Sequence, residues 1–220
     1  MMKITIDSEM RDLFPDLQIG CILADVRVTP TDETIRDEIK RVGASIKQRM
    51  TPELIRRHPV VEATKNAYRR LGKDPNRYRP ASESLLRRLA QGKGLYEINN
   101  MVDILNLVSI QTGFSIGGYD ADKISGSVHF GIGRPAEPYE GIGRGALNIE
   151  NLPVFRDDKG AFGTSTSDSV RTMVTADTVR LLMVIPAFEA FDDEPEGAMN
   201  LMVELLGRLG GVNKPLVWKV

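Results

Sequence analysis

The residues best equipped for chemistry lie between two apolar stretches, in Gly163-Thr164-Ser165-Thr166-Ser167-Asp168-Ser169-Val170-Arg171. Five hydroxyls, a carboxylate and a guanidinium in nine positions supply donors and acceptors in the mixture that a pocket for a polar, amino-acid-like ligand needs. The same composition fits a turn that caps its own backbone, with Asp168 paired to Arg171, and sequence leaves both readings open. A second polar group is Asn99, Asp103 and Asn106, spaced by four and three so that they share one side of a helix. That stripe is either the wet face of the helix or the polar wall of a pocket. Other chemistries have weaker support. His58 and His129 have no nearby His or Cys at ligand spacing, so no metal is expected. Gly141-Ile142-Gly143-Arg144-Gly145-Ala146 has dinucleotide-like glycines but precedes a strand-like run where a helix is required, and no cofactor is expected. The one cysteine, Cys21, sits in the apolar run Ile19 to Ala24 and reads as a buried thiol.

The elements that must position these residues follow from periodicity. Lys3 to Ile6 and Gly20 to Val28 read as strands, the second closed by Thr29-Pro30. Ile35, Ile39, Val42 and Ile46 recur at helical spacing from a cap near Thr31 or Asp32, and Thr51-Pro52 opens the next helix, which Pro59 interrupts. Ser82 is expected to cap a helix from Glu83 to Gln91, and Met101, Ile104, Leu105 and Val108 mark the apolar side of a helix over Asn99 to Thr112. Strands are expected at Gly126 to Gly133, Ala146 to Arg156, Val170 to Thr175, Thr178 to Ile185 and Pro215 to Val220, with a helix over Glu196 to Leu209. Strands and helices come in blocks rather than strict alternation, which argues for an α+β fold with mixed or antiparallel sheets, formed by residues 1–220 as one domain.

Composition sets the class. The 220 residues are 41% hydrophobic with formal net charge −1, enough apolar material for a core without metal or disulfide. The N-terminus has no signal-like apolar run, and a cytoplasmic location is expected. Charge is uneven. Between Leu54 and Leu95 eleven Lys and Arg face three acids, Glu62, Asp74 and Glu83. Such a segment is the footprint expected of a phosphate-facing surface, and it makes Arg69, Arg70, Arg77, Arg79, Arg87 and Arg88 candidate RNA contacts.

The run Ile98-Asn99-Asn100-Met101-Val102-Asp103-Ile104-Leu105-Asn106-Leu107-Val108, continuing to Gly113-Phe114-Ser115-Ile116-Gly117-Gly118-Tyr119-Asp120, resembles the phenylalanyl-tRNA synthetase beta-subunit signature I-N-N-V-V-D-I-T-N-Y-V ending in G-Q-P-x-H-A-F-D. Asp122-Lys123-Ile124-Ser125-Gly126 and Val154-Phe155-Arg156-Asp157 extend the similarity over roughly residues 65 to 190. The resemblance implies that family's editing-domain fold, and with it a protein acting on tRNA or aminoacyl-tRNA, either hydrolysing mis-acylated tRNA in trans or binding RNA or an amino-acid-like ligand without catalysis. By position it implicates Asn99, Asn100, Asn106, Gly117 and the Gly163 to Asp168 turn, Ser165 included, as pocket lining, with Arg171 beside them. Two departures stand out. Gly117 replaces the family's histidine, and the acid expected on a later strand falls at Leu182-Met183-Val184. Hydrolysis would therefore rest on Asp168 as general base or water anchor, with Thr164, Ser165 and Thr166 steadying the carbonyl oxygen.

Overall fold

Leu181 to Ala187 is apolar throughout because the strand that contains it is covered on both faces. The computed structural model describes residues 2–190 and 195–220. In chain order its elements are β1 (Ile4–Ile6), α1 (Ser8–Leu13), β2 (Gln18–Asp25), α2 (Glu33–Arg49), α3 (Pro52–Arg56), α4 (Pro59–Arg70), α5 (Ala81–Ala90), α6 (Asn100–Thr112), β3 (Gly117–Asp120), β4 (Val128–Ile132), β5 (Glu140–Gly141), β6 (Gly145–Ala146), β7 (Pro153–Asp157), β8 (Gly160–Thr164), β9 (Arg180–Ala187), α7 (Glu196–Gly210) and β10 (Leu216–Lys219).

One sheet has the order β10-β2-β9-β3 and is antiparallel throughout; the other, β1-β4-β7-β8, has one parallel pair, β1 with β4. Alternation along β9 assigns its two faces. Leu182 and Val184 join Phe130, Phe155, Phe162 and Tyr119 in the core between the sheets, where the Phe130 and Phe155 rings lie 4.4 Å apart and Tyr119 meets Phe162 edge-on at 4.8 Å. Leu181, Met183 and Ile185 face the other way, into a core shared with α2, α5, α6 and α7. The layers are therefore helices, sheet, sheet: an α+β arrangement. Cys21 is fully buried between the sheets, and burial pushes its thiol up to about 12.

Caps fix the helices that carry the candidate residues. The Asp32, Thr51 and Asn99 side chains accept from the Ile35, Leu54 and Val102 amides, and Gly113, left-handed at φ 82°, ends α6. Three expectations are corrected. The helix foreseen from Glu83 begins at Ala81 after Pro80, and Ser82, instead of capping it, is buried with its hydroxyl 3.0 Å from that of Ser115. Ala146 to Arg156 is not continuous, because Asn148 accepts from the Glu150 amide in an Asx turn and Asn151 turns left-handed at φ 62°. Val170 to Thr172 forms a 3-10 turn in place of a strand, opened by Ser169 accepting from the Arg171 amide. After Gly141 comes the tight β5–β6 hairpin, with Gly143 and Gly145 left-handed, so the helix that a dinucleotide site requires is not there.

Candidate functional site

The segment after β8 crosses the open edge of the sandwich to reach β3, the edge strand of the opposite sheet. Asp168 makes the crossing contact. Its carboxylate accepts from the Tyr119 hydroxyl at 2.9 Å and from the Gly118 amide at 3.3 Å. Tyr119 reaches it only because two positions lack side chains: a Cβ at Gly117 or at Gly163 would collide with the Tyr119 hydroxyl. The phenol thus occupies the space into which a side chain at position 117 would project. Burial lifts the Asp168 pKa to about 7, against the opposing pull of the Tyr119 and Gly118 hydrogen bonds. Burial likewise raises the Tyr119 pKa, with the Asp168 charge adding to the effect, so this phenol stays protonated as a donor. A carboxyl poised near neutrality can take and return a proton in the same pH range.

The turn itself is extensively self-bonded. The Thr164 hydroxyl accepts from the Thr166 and Ser167 amides and donates to the Ser167 carbonyl at 3.0 Å. Thr166 lies 2.9 Å from the Tyr68 hydroxyl and donates to the Tyr78 carbonyl, the Tyr139 hydroxyl donates to the Ser167 carbonyl, and the Ser165 carbonyl accepts from the Ala81 amide. Three buried tyrosines therefore brace one turn; the Thr164 hydroxyl has its partners within it, and that of Thr166 has Tyr68 and Tyr78. The expected Asp168–Arg171 pair is corrected. Arg171 forks onto Asp157 at 2.9 and 3.1 Å and donates to the Gly160 carbonyl, since Asp157, its side chain wholly buried, needs a counter-charge. Burial opposes ionisation of Asp157, but Arg171 and the Ser125 and Lys159 amides hold its carboxyl below the ordinary range. On the outer side of this region Tyr139, Ala161, Ser169 and Arg171 line an open cleft of about 710 Å³.

On α6 the polar stripe is not a wet face. Asp103 is fully buried and accepts from the Thr31 hydroxyl at 2.5 Å and the Ile98 amide at 3.1 Å; burial raises its pKa. Asn99 is the cap, and Asn100 accepts from the Thr29 and Met101 amides while donating to the Arg27 carbonyl. These side chains bind α6 to the segment leaving β2, and among the described residues no hydrogen bond joins them to the 163–171 turn. Asn106 is half-buried and makes no side-chain hydrogen bond among the described residues. Its neighbour Leu105 packs against Gly118, whose amide Asp168 accepts, so α6 and the turn meet β3 at the same glycine.

The six candidate RNA-contacting arginines occupy the end of α4, the following loop and α5. Arg79 and Arg87 lie 3.7 and 2.7 Å from Glu83, a carboxylate only 2% exposed that also faces Lys65, equally buried, at 3.6 Å. Arg69 bonds Glu62 and Asn66, Arg70 and Arg77 lie over the Phe14 and Tyr78 rings, and Arg88 stacks on exposed Tyr96 at 3.7 Å. Sequence reasoning missed Tyr119, Tyr68 and Tyr139, and it missed the buried Lys65–Glu83 pair. Tyr119 had a signal, since it adds a hydroxyl to the family's phenylalanine two residues after a histidine has become glycine. The ion pair had none, because charged residues on two helices read as solvated.

Known proteins share part of this sequence and its fold. A family model described as "B3/4 domain" matches residues 63–192. The phenylalanine–tRNA ligase beta subunits of two Neisseria meningitidis strains, of serogroups A and B, are 33% and 31% identical over 82 and 83 residues, in each case 37% of this chain and 10% of theirs. The chain thus matches about a tenth of the length of these relatives. A solved N-terminal fragment of the phenylalanyl-tRNA synthetase beta-subunit from Pyrococcus horikoshii superposes with TM-score 0.50 at 13% identity, covering 98% of this chain and 54% of that one, a likeness of fold.

Proposed function

Since the chain belongs to the B3/4 domain family, we propose that it associates with tRNA and hydrolyses the ester of a mis-acylated tRNA through Asp168. The observation that carries this reading is the buried Asp168 carboxylate held by Tyr119 and Gly118 where the turn after β8 meets β3, an environment whose burial pushes its pKa up to about 7. Ionised Asp168 takes a proton from a water whose oxygen attacks the ester carbonyl. The resulting tetrahedral intermediate breaks its bond to the ribose oxygen, and the Asp168 proton passes to that leaving oxygen, releasing the free amino acid and tRNA. Tyr119 fixes the carboxylate by its hydrogen bond. The ester is activated, so positioning does most of the work, and no metal or cofactor enters the scheme. Because the Thr164 hydroxyl is engaged within its own turn and that of Thr166 by Tyr68 and Tyr78, Ser165 and backbone amides are better placed to steady the carbonyl oxygen.

A second reading, a non-catalytic module that binds RNA or an amino-acid-like ligand, is favoured by how completely the turn's polar groups are satisfied, by each other and by Tyr68 and Tyr139. Deacylation assays over a panel of aminoacyl-tRNAs separate the two. Hydrolysis above the spontaneous rate for at least one member supports the enzyme; tRNA binding with no such rate supports the module.

A further inference from the structure

Away from the turn, a cleft of about 330 Å³ opens between α2, α5 and α6. Its floor is apolar, with Ile46, Leu86 and Ile110, and its rim carries Arg41 and Arg49. His58, which precedes α4 without a side-chain cap bond, lines it as well, and the buried Nδ1 of His58 has no hydrogen-bond partner among the described residues. An unmade hydrogen bond at a buried imidazole nitrogen is destabilising and calls for an explanation. Burial lowers the pKa of His58, so the ring is neutral at pH 7 and offers one donor and one acceptor. The rim is positive. Arg41 shares Glu38 with Arg208, at 2.9 and 3.0 Å, and together they drive the Glu38 pKa down to about 2, so two guanidiniums sit on one carboxylate. Arg49 donates only a long bond to the Ser45 carbonyl and has no acidic partner among the described residues.

We propose that this cleft binds a small organic anion, a monocarboxylate with a compact aliphatic body, whose head lies against Arg49 and Arg41 and whose body covers the Ile46, Leu86 and Ile110 floor beside His58. The volume is at the small end of ligand pockets, and the lining sets the polar Ser45, Gln111 and the two arginines around the apolar floor, a composition for a ligand with a charged head as well as an apolar body. A planar carboxylate matches the guanidinium fork, whereas inorganic phosphate has no apolar body for the floor. The proposal is independent of any activity on tRNA.

The chain has two histidines, so in His129→Gln the only imidazole signals are those of His58. Titrating this variant with hexanoate, hexanol and inorganic phosphate while following the imidazole resonances tests the proposal. Hexanoate is expected to shift them saturably and to raise the His58 pKa, with hexanol and phosphate much weaker. Arg49→Gln, a change at an exposed side chain, is expected to weaken hexanoate roughly three- to tenfold, the range for one partly solvated charge-assisted contact. Equal responses to hexanoate and hexanol, a response to phosphate as large as that to hexanoate, or unchanged affinity in Arg49→Gln would overturn it.

Discussion

The Tyr119 hydroxyl meets the Asp168 carboxylate at 2.9 Å through a gap that exists because Gly117 and Gly163 carry no side chains. This contact ties the edge strand of one sheet to the turn leaving the edge strand of the other, and it depends on four positions together, Tyr119, Asp168, Gly117 and Gly163. Gly117→Ala should therefore destabilise the protein by about 1–3 kcal/mol through overpacking. In Tyr119→Phe the obstructing oxygen is gone, so the same glycine change should cost less. A urea double-mutant cycle is the measurement, and strictly additive costs would contradict the geometry.

Asp168 should also set a pH dependence of stability. Its folded pKa, about 7, is raised from 3.8, so between those values the folded state holds a proton that the unfolded state releases. Stability contributed by the protonated carboxyl is full below pH 4. It declines as pH rises toward 7, by at most roughly 1.4 kcal/mol for each pH step of one, and is level above that. Asp168→Asn should remove this decline and be the more stable form at pH 8 by about 1 kcal/mol or more. Urea midpoints at pH 5 and pH 8 for both proteins give the comparison.

For the α6 cluster the expected role is structural. Asn100→Ala leaves the Thr29 amide and the Arg27 carbonyl without their partner and should cost about 1–3 kcal/mol. Asp103→Ala orphans Thr31 and the Ile98 amide and should cost a similar amount. Denaturation curves check both. If Asn100→Ala unfolds like the parent but loses tRNA or ligand binding, the side chain lines a site rather than a joint.

Much of this architecture can be read from pattern. Pro52, Pro59 and Gly113 punctuate the helices where φ and hydrogen-bond constraints require it, and the apolar run ending at Ala187 announces a strand covered on both faces. Polar side chains are harder to place, because their role depends on which backbone groups the fold leaves unpaired. Asp103 has the spacing of a solvent-facing residue yet is buried, since the segment leaving β2 lies against its helix. Arg171 is only three residues from Asp168 but chooses Asp157 across a β-hairpin, a choice set by tertiary burial. Tyr119 reads as one more core aromatic until the two glycines beside its hydroxyl are seen in space.

The arginines should divide into two classes. Arg87 donates the closest bond to buried Glu83, so Arg87→Ala should destabilise the fold by about 1–3 kcal/mol, held below the loss of a sole counter-charge because Arg79 and Lys65 still face the carboxylate. Arg69, Arg70 and Arg77 are exposed, and charge-neutral substitutions there should leave stability nearly unchanged. If they face tRNA, each should lower the slope of log affinity against log salt by nearly one. Filter binding at several salt concentrations, read beside thermal melts, distinguishes the classes; unchanged slopes would assign these three charges to a solvated surface.

The most direct test of the central claim is the pH profile of aminoacyl-tRNA deacylation after subtraction of spontaneous hydrolysis, measured for the parent protein and for Asp168→Asn. Ionisation of a single carboxyl with a pKa of about 7 predicts a rate that climbs tenfold per pH unit below pH 6 and levels above pH 8, and that falls by about 10²–10⁴-fold in Asp168→Asn. A rate in Asp168→Asn equal to that of the parent, or no enzymatic rate for any aminoacyl-tRNA at any pH, would contradict the assignment of Asp168 as the base.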